Sequence, residues 1–406
     1  MIEKDIVIVG GGAAGFFAAV NIAKLAPSLS VAILERGQTG LAKVKVSGGG
    51  RCNVTHAEFI PSELVHNYPR GERELLGPFH QFMTGDTMAW FEERGVPLNI
   101  EEDGRIFPAS NSSQSIINCF LSEAEKYKVD IKYSHGVQAI EVQDNGFKLN
   151  TSKGDIKAKR VLIATGSNNK MWQLLETLGH KRVDAVPSLF TFKINDSRIK
   201  DIPGVVAENV EIKIKGTSLE TQGPLLITHW GMSAPAVLKL SAFGALEIAK
   251  RDYKFTIEVN FIRESFNDCL NALKQLKQSE AKKSVYKGAQ FNLPKRLWHK
   301  LVLAANIFEE TRWGDVNKAQ IESLARQLSC AEFNVNGKTT FKEEFVTAGG
   351  VALKEVNFKT FESKRVPGLY FAGEVLNIDA ITGGFNFQNA WTGAYIASQN
   401  ITQGLQ

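Results

Sequence analysis

The chain has 406 residues, 43% of them hydrophobic and 22% charged, with a formal net charge of +5. That length exceeds what one core usually supports, so two or three domains are expected in an ordinary globular protein. Cys52, Cys119, Cys269 and Cys330 are scattered with no C-x-x-C, and no apolar run approaches the roughly 20 residues of a membrane span. A disulfide framework, a metal site and a membrane helix are therefore not expected. A reducing, cytoplasmic setting is.

The first element is a short β-branched strand, IVIV from Ile6, running into Gly10, Gly12 and Gly15. The spacing is G-x-G-x-x-G, and AAGFFAAVNIAKLA continues as a helix until Pro27. Gly10 makes the tight turn, Gly12 allows a pyrophosphate close to the backbone, and Gly15 lets helix and strand pack. The helix start offers unpaired N–H groups and about half a positive charge to phosphate. SVAILE then ends in Glu35, placed to accept hydrogen bonds from a ribose. Glu35 repels a 2′-phosphate, although Arg36 beside it leaves room for one.

GLAKVKVSGGGRCNVTH follows, from Gly40 to His56. Gly48, Gly49 and Gly50 suit neither helix nor strand. They read as a backbone nest facing an anion or a flat ring, with Ser47, Arg51 and Asn53 as further donors.

TMAWFEERGVPL predicts a helix capped near Asp86 and ended at Gly95, and SQSIINCFLSEAEKY a second amphipathic helix. VDIKY, VQAIEV and FKLNTS alternate like antiparallel strands, with Asn145-Gly146 as a hairpin turn. RVLIATGS is another apolar strand entering a glycine turn.

LFTFKI, ENVEIKIKG, PLLITH and YKFTIEVNFI predict an antiparallel barrel or sandwich. Helical stripes follow at Phe266, Leu270, Leu273 and Leu276, at LPKRLWHKLVLAANI after Pro294, and at Ile321, Leu324 and Leu328 behind Asp315 as a cap. The lysines of this block read as a solvated face.

Near the chain end, LYFAGE is a strand closing on Gly373-Glu374, and FNFQNAWTGAYIASQNI is a helix starting near Asn386 after Gly383-Gly384. NAD would need only the first half of these parts. FAD uses both, with Glu374 at a ribityl hydroxyl and the last helix pointing its positive end at the flavin.

SGGGRCNVT, EEDGRIFP, THWGMSAPAVLKLS, VTAGGV and GLYFAGEVLNIDAITGGFNFQNAW resemble, in that order, the signatures of the BaiN/YhiN-like FAD flavoproteins. This is a bacterial group of NAD(P)/FAD-dependent oxidoreductases, also called the aminoacetone oxidase family. The resemblance implies an α/β fold: a glutathione-reductase-like FAD-binding Rossmann domain (1–186 and 346–406), an inserted antiparallel β-barrel domain (187–264 and 331–345) and a small helical subdomain (265–330). It implies non-covalent FAD. Gly10, Gly12, Ala13, Ala14, Gly15, Glu35 and Arg36 then meet the ADP half. Lys43, Ser47, Gly48, Gly49, Gly50, Arg51, Cys52 and Asn53 line the pyrophosphate and flavin. The Val137 backbone contacts adenine, flanked by Ala164, Thr165 and Gly166. Gly373, Glu374, Gly383, Gly384, Asn386 and Phe387 lie by the ribityl chain and ring. Leu41, Ala42, Asn377, Ala380 and Ala234 depart from the pattern.

Cys52 and His229 are the candidates for chemistry, a thiol in the glycine nest and a proton donor or acceptor in the insert. Arg105 could bind an anion or pair with Glu101 or Glu102. The expected activity is flavin hydride transfer on a small organic substrate, either enone-type reduction or amine oxidation. NAD(P)H is a possible donor, although no second G-x-G-x-x-G provides it a fold. A flavoprotein acting on tRNA and a non-catalytic flavin-binding protein are the alternatives. The mild charge does not itself call for a nucleic-acid partner.

Overall fold

The structure is a computed structural model that describes residues 2–339 and 346–405. Its contacts divide the chain into two units, 1–185 with 347–406, and 186–346. The expected boundary at 345/346 adjoins residues 340–345, outside the described residues.

The first unit is built on β1 (Ile2–Val9), α1 (Ala13–Leu25) and β2 (Val31–Leu34). Ile6 to Val9 and all of β2 are buried, as expected of central parallel strands. The sheet runs Val356–Asn357, Glu362–Ser363, Leu369–Phe371, Gly154–Ile163, β1, β2 and Asp130–Lys132. Leu369–Phe371 pairs in parallel with the Gly154–Ile163 strand, so the two chain ends lie in one sheet. Asp130–Lys132 pairs in parallel with β2, where its alternation had suggested an antiparallel partner. Val137–Gln143 and Gly146–Thr151 form the hairpin turned at Asn145-Gly146 and join Gly154–Ile163 antiparallel.

The closing helix Phe385–Ile401 packs on α1 through aromatic rings. Phe17 and Trp391 lie 5.2 Å apart, and Phe120 is 5.7 Å from Trp391. Each such pair contributes about 0.5–1.5 kcal/mol beyond area burial. Their polar edges are satisfied as well. Trp391 Nε1 donates to the Val54 carbonyl at 2.9 Å, and Trp90 Nε1 to Asn21 Oδ1 at 3.0 Å.

Thr84–Glu92 is the expected helix, and the Asp86 carboxylate accepts from the Met83 N–H at 2.8 Å. EEDGRIFP is half strand: Arg105–Pro108 pairs antiparallel with Leu98–Ile100.

The second unit is a closed barrel ordered Thr191–Ile194, Gly231–Ser233, Glu220–Ile227, Val206–Ile214, Lys254–Asn260 and Ala331–Thr339. Helices Phe266–Ser279, Lys295–Ala304 and Lys318–Ser329 share one apolar core with it, joining Leu273, Trp298 and Leu324 to Ile257 and Phe333. The last of these helices is capped by Asn317, whose side chain accepts from the Gln320 N–H, and not by Asp315.

Candidate functional site

Close backbone approaches assemble the site. A Cβ on Gly10 would stand 2.5 Å from the Ala164 carbonyl oxygen, and one on Gly15 would stand 1.9 Å from the Gly10 carbonyl oxygen. Only glycine permits the strand–turn–helix to close this tightly. Gly12 differs: a Cβ there would meet nothing within 4 Å, so the start of α1 faces open space. No side chain caps that helix and no acid lies in its first turn. Its N–H groups are available to an anion.

Glu35 is held by two amides, accepting from Gly11 N at 2.8 Å and from Gly37 N at 2.6 Å. The carboxylate is thereby fixed at the edge of the turn with lone pairs to spare. Arg36 is exposed, and a Cβ on Gly136 would lie 3.3 Å from its own, so the Val137 strand starts beside it.

The glycine triplet ends α2 (Ala42–Gly50). Gly48, Gly49 and Gly50 have φ of +56°, +68° and +85°, and a Cβ on either of the last two would meet nothing within 4 Å. Ser47 is committed to the Val44 carbonyl, and Arg51 pairs with Glu101 at 2.6 Å while stacking on Phe107. Arg105 pairs with both Asp103 and Glu101.

The chain end closes on these parts. A Cβ on Gly373 would lie 3.4 Å from Ala14 and 3.7 Å from Ala390, and Lys43 Nζ meets Glu374 at 2.6 Å across Gly166. A Cβ on Gly384 would stand 2.6 Å from the Thr55 carbonyl and 2.8 Å from Asn53 Oδ1. Asn386 clasps Ala380 with both amide atoms, and Phe387 stacks on Trp391 at 5.5 Å. Thr165 follows the buried Ala164 at the Gly10 contact.

The two chemical candidates lie in different units. Cys52 is buried, and desolvation pushes its thiol up to about 12 although Ser47 hydrogen-bonds to it. It stays protonated at neutral pH, which removes the nucleophile. His229 lies on an exposed turn of the second unit, beside Trp230.

Sequence reading missed three features. His56 Nδ1 lies 3.1 Å from the Gly383 carbonyl, which can only accept, so Nδ1 carries the hydrogen; its ring packs 4.5 Å from Phe385. Arg70 makes a two-pronged ion pair with the fully buried Asp379. Thr55 and Thr87 both donate to Gln388 Oε1, and Gln388 donates to Thr392, tying the last helix inward. Only His56, ending the SGGGRCNVTH run, carried a local signal.

Burial lowers the affinity of His56 and His180 for a proton. The unfolded chain protonates them near pH 6.5 and the folded chain lower, so stability present above that value is lost as pH falls towards the folded values. Melting temperature is expected to decline between about pH 7 and pH 5, and less so in His180→Gln. A flat profile in the parent protein contradicts this.

FAD fits these residues: an uncapped helix start, a fixed acid for ribose, an open glycine nest and buried Asn53 and Asn377 oxygens without partners. Among the described residues no acid, histidine or cysteine group could hold a metal ion, and no helix is long and apolar enough to cross a membrane.

The chain is similar to several known proteins along nearly its whole length. A ribosomal RNA dihydrouridine synthase of Haemophilus influenzae is 28% identical, with 98% of this chain and 99% of that protein covered. Another of the same name from Escherichia coli is 26% identical, with 98% of each covered. The 3-dehydro-bile acid delta(4,6)-reductase of Clostridium scindens is 28% identical over 97% of each. Among solved structures, the 3-ketosteroid-delta4-(5alpha)-dehydrogenase of Rhodococcus jostii RHA1 covers 99% of this chain and 97% of its own at a TM-score of 0.53 and 13% identity, a likeness of fold. The HI0933-like protein Rossmann domain family matches residues 4–400, and the chain belongs to that family.

Proposed function

We propose that this FAD-dependent oxidoreductase saturates a carbon–carbon double bond conjugated to a carbonyl, with the uracil ring of RNA as its substrate class. One observation carries the reading: the full-length relatives have names that share a single reaction. Dihydrouridine is uridine hydrogenated across the bond next to the C4 carbonyl. A 3-dehydro-delta(4,6) bile acid carries its double bonds next to a C3 ketone. Both products gain one hydride and one proton. Amine oxidation has no such support.

FAD, when bound, supplies the hydride. The chain's part is to hold and shield. The start of α1 and the glycine nest accept the phosphates, Glu35 takes the ribose, and Lys43 with Glu374 lies where the two chain ends meet. His56 fixes the Gly383 turn ahead of the closing helix, and its Nδ1 proton is spent on that carbonyl.

The test is anaerobic. The reduced, FAD-loaded protein is mixed in turn with a uridine-containing RNA, a 3-oxo-delta4 steroid and free NADP+. Return of the oxidised flavin spectrum with RNA, and a mass gain of two hydrogens on uridine, is the expected result. Turnover of the steroid alone transfers the reading to small enones. Oxidation of an added amine by the oxidised enzyme, with neither enone consumed, overturns it.

A further inference from the structure

A cavity of about 440 Å³ lies in the first unit between helix Glu72–Phe79 and the segment 353–364. Arg73, Lys354, Lys359 and Lys364 line it, with Glu74 as the one acid. All four cations are exposed. None makes an ion pair among the described residues, and of their charged heads only Lys364 Nζ has a hydrogen bond there, donating to the Lys354 carbonyl at 3.1 Å. Surface lysines and arginines elsewhere are widely paired with acids. Uncompensated like charges around one cleft repel one another and destabilise the fold slightly unless an anion visits.

The wall between the cations is not inert. Phe358 is half-buried and edge-on to Phe361 at 5.3 Å, which leaves a ring in the lining. Gln81 and Asn357 add amides. Cations that track a backbone beside an aromatic face are what a single nucleic-acid strand requires. Structural ties run from the helix wall to the turn before the closing helix: Arg70, just before the Glu72–Phe79 helix, holds Asp379, and a Cβ on Gly71 would touch Ile378 at 2.8 Å.

The lysines of the other unit make a poorer case. Lys318 pairs with Glu322 there, and their cavity measures about 180 Å³.

We propose that the Arg73–Lys354–Lys359–Lys364 groove binds the phosphate backbone of single-stranded RNA and so presents uracil to this enzyme. The inference rests on the reading above that RNA is the substrate.

The test uses the full FAD-loaded chain and a fluorescent uridine-containing RNA oligonucleotide. Arg73→Gln, Lys354→Gln, Lys359→Gln and Lys364→Gln are combined and compared with a control that removes equal charge elsewhere, Lys274→Gln, Lys282→Gln, Lys287→Gln and Arg296→Gln. The groove variant is expected to lose about tenfold or more in RNA affinity, and its log–log salt slope to fall by about 3. The control should lose much less, and both should keep FAD. Should the fourfold variant shed FAD, Lys359→Glu alone repeats the measurement at one exposed side chain. Unchanged RNA affinity in the groove variant, while the parent binds and reduces RNA, overturns the groove and leaves the enzyme reading standing. A raised KM for NADPH with unchanged RNA affinity overturns it in favour of the electron donor. A parent protein that binds no RNA removes the substrate reading and the groove together.

Discussion

Exchange of Asp379 for asparagine is expected to cost the fold about 3–5 kcal/mol, measured by urea unfolding followed by circular dichroism. Asp379 is fully buried and Arg70, its two-pronged partner 309 residues away, is nearly so. Removing the negative charge leaves a guanidinium in a medium that solvates it badly. The loss should also be local. Asp379 sits in the turn that leads to Ala380, which Asn386 clasps, and to the Gly383-Gly384 start of the closing helix. FAD should therefore dissociate at lower urea than the parent protein requires. The paired exchange Arg70→Met with Asp379→Leu should recover much of the stability, because neither charge then remains to be solvated. If Asp379→Asn unfolds with the parent, the ion pair is not what holds the turn.

The second large effect separates two glycines of the same motif. Gly15→Ala drives a methyl to 1.9 Å from the Gly10 carbonyl, so α1 must lift from the strand. Such overpacking costs about 1–3 kcal/mol, and FAD affinity should drop roughly tenfold or more along with stability. Gly12→Ala meets no atom within 4 Å and should melt like the parent when free of FAD. Its methyl instead occupies the space before the helix start, so affinity for FAD falls while apo-protein stability holds. Fluorescence titration with FAD and calorimetry of the apo-proteins distinguish the two. Equal FAD binding by Gly12→Ala and the parent removes the phosphate from that position.

Much of this was legible because its causes are local. The turn after β1, the capping of the Thr84 helix by Asp86 and the barrel alternation each follow from neighbours in sequence. What could not be read was partnership at distance. Alternation marks Asp130–Lys132 as a strand but says nothing of the strand beside it, and β2 proved to be a parallel one. The Arg70–Asp379 pair has no spacing to betray it. Leu41 and Ala234 show a subtler limit. Both depart from the pattern of the resembling family, and both have positive φ, +58° and +80°. Leu41, in the left-handed α region, accepts roughly 1–2 kcal/mol of backbone strain, and Ala234, with ψ of 176°, roughly 1–3 kcal/mol. The buried Leu41 side chain offsets part of its strain by packing.

Because Leu369–Phe371 sits between Gly154–Ile163 and Glu362–Ser363, the central sheet is incomplete until residues 356–371 leave the ribosome. The contiguous barrel unit emerges whole before that. Meanwhile the nascent Gly154–Ile163 strand carries a bare edge of the kind that recruits foreign strands. Production of this protein should thus be most vulnerable to termination before Phe371.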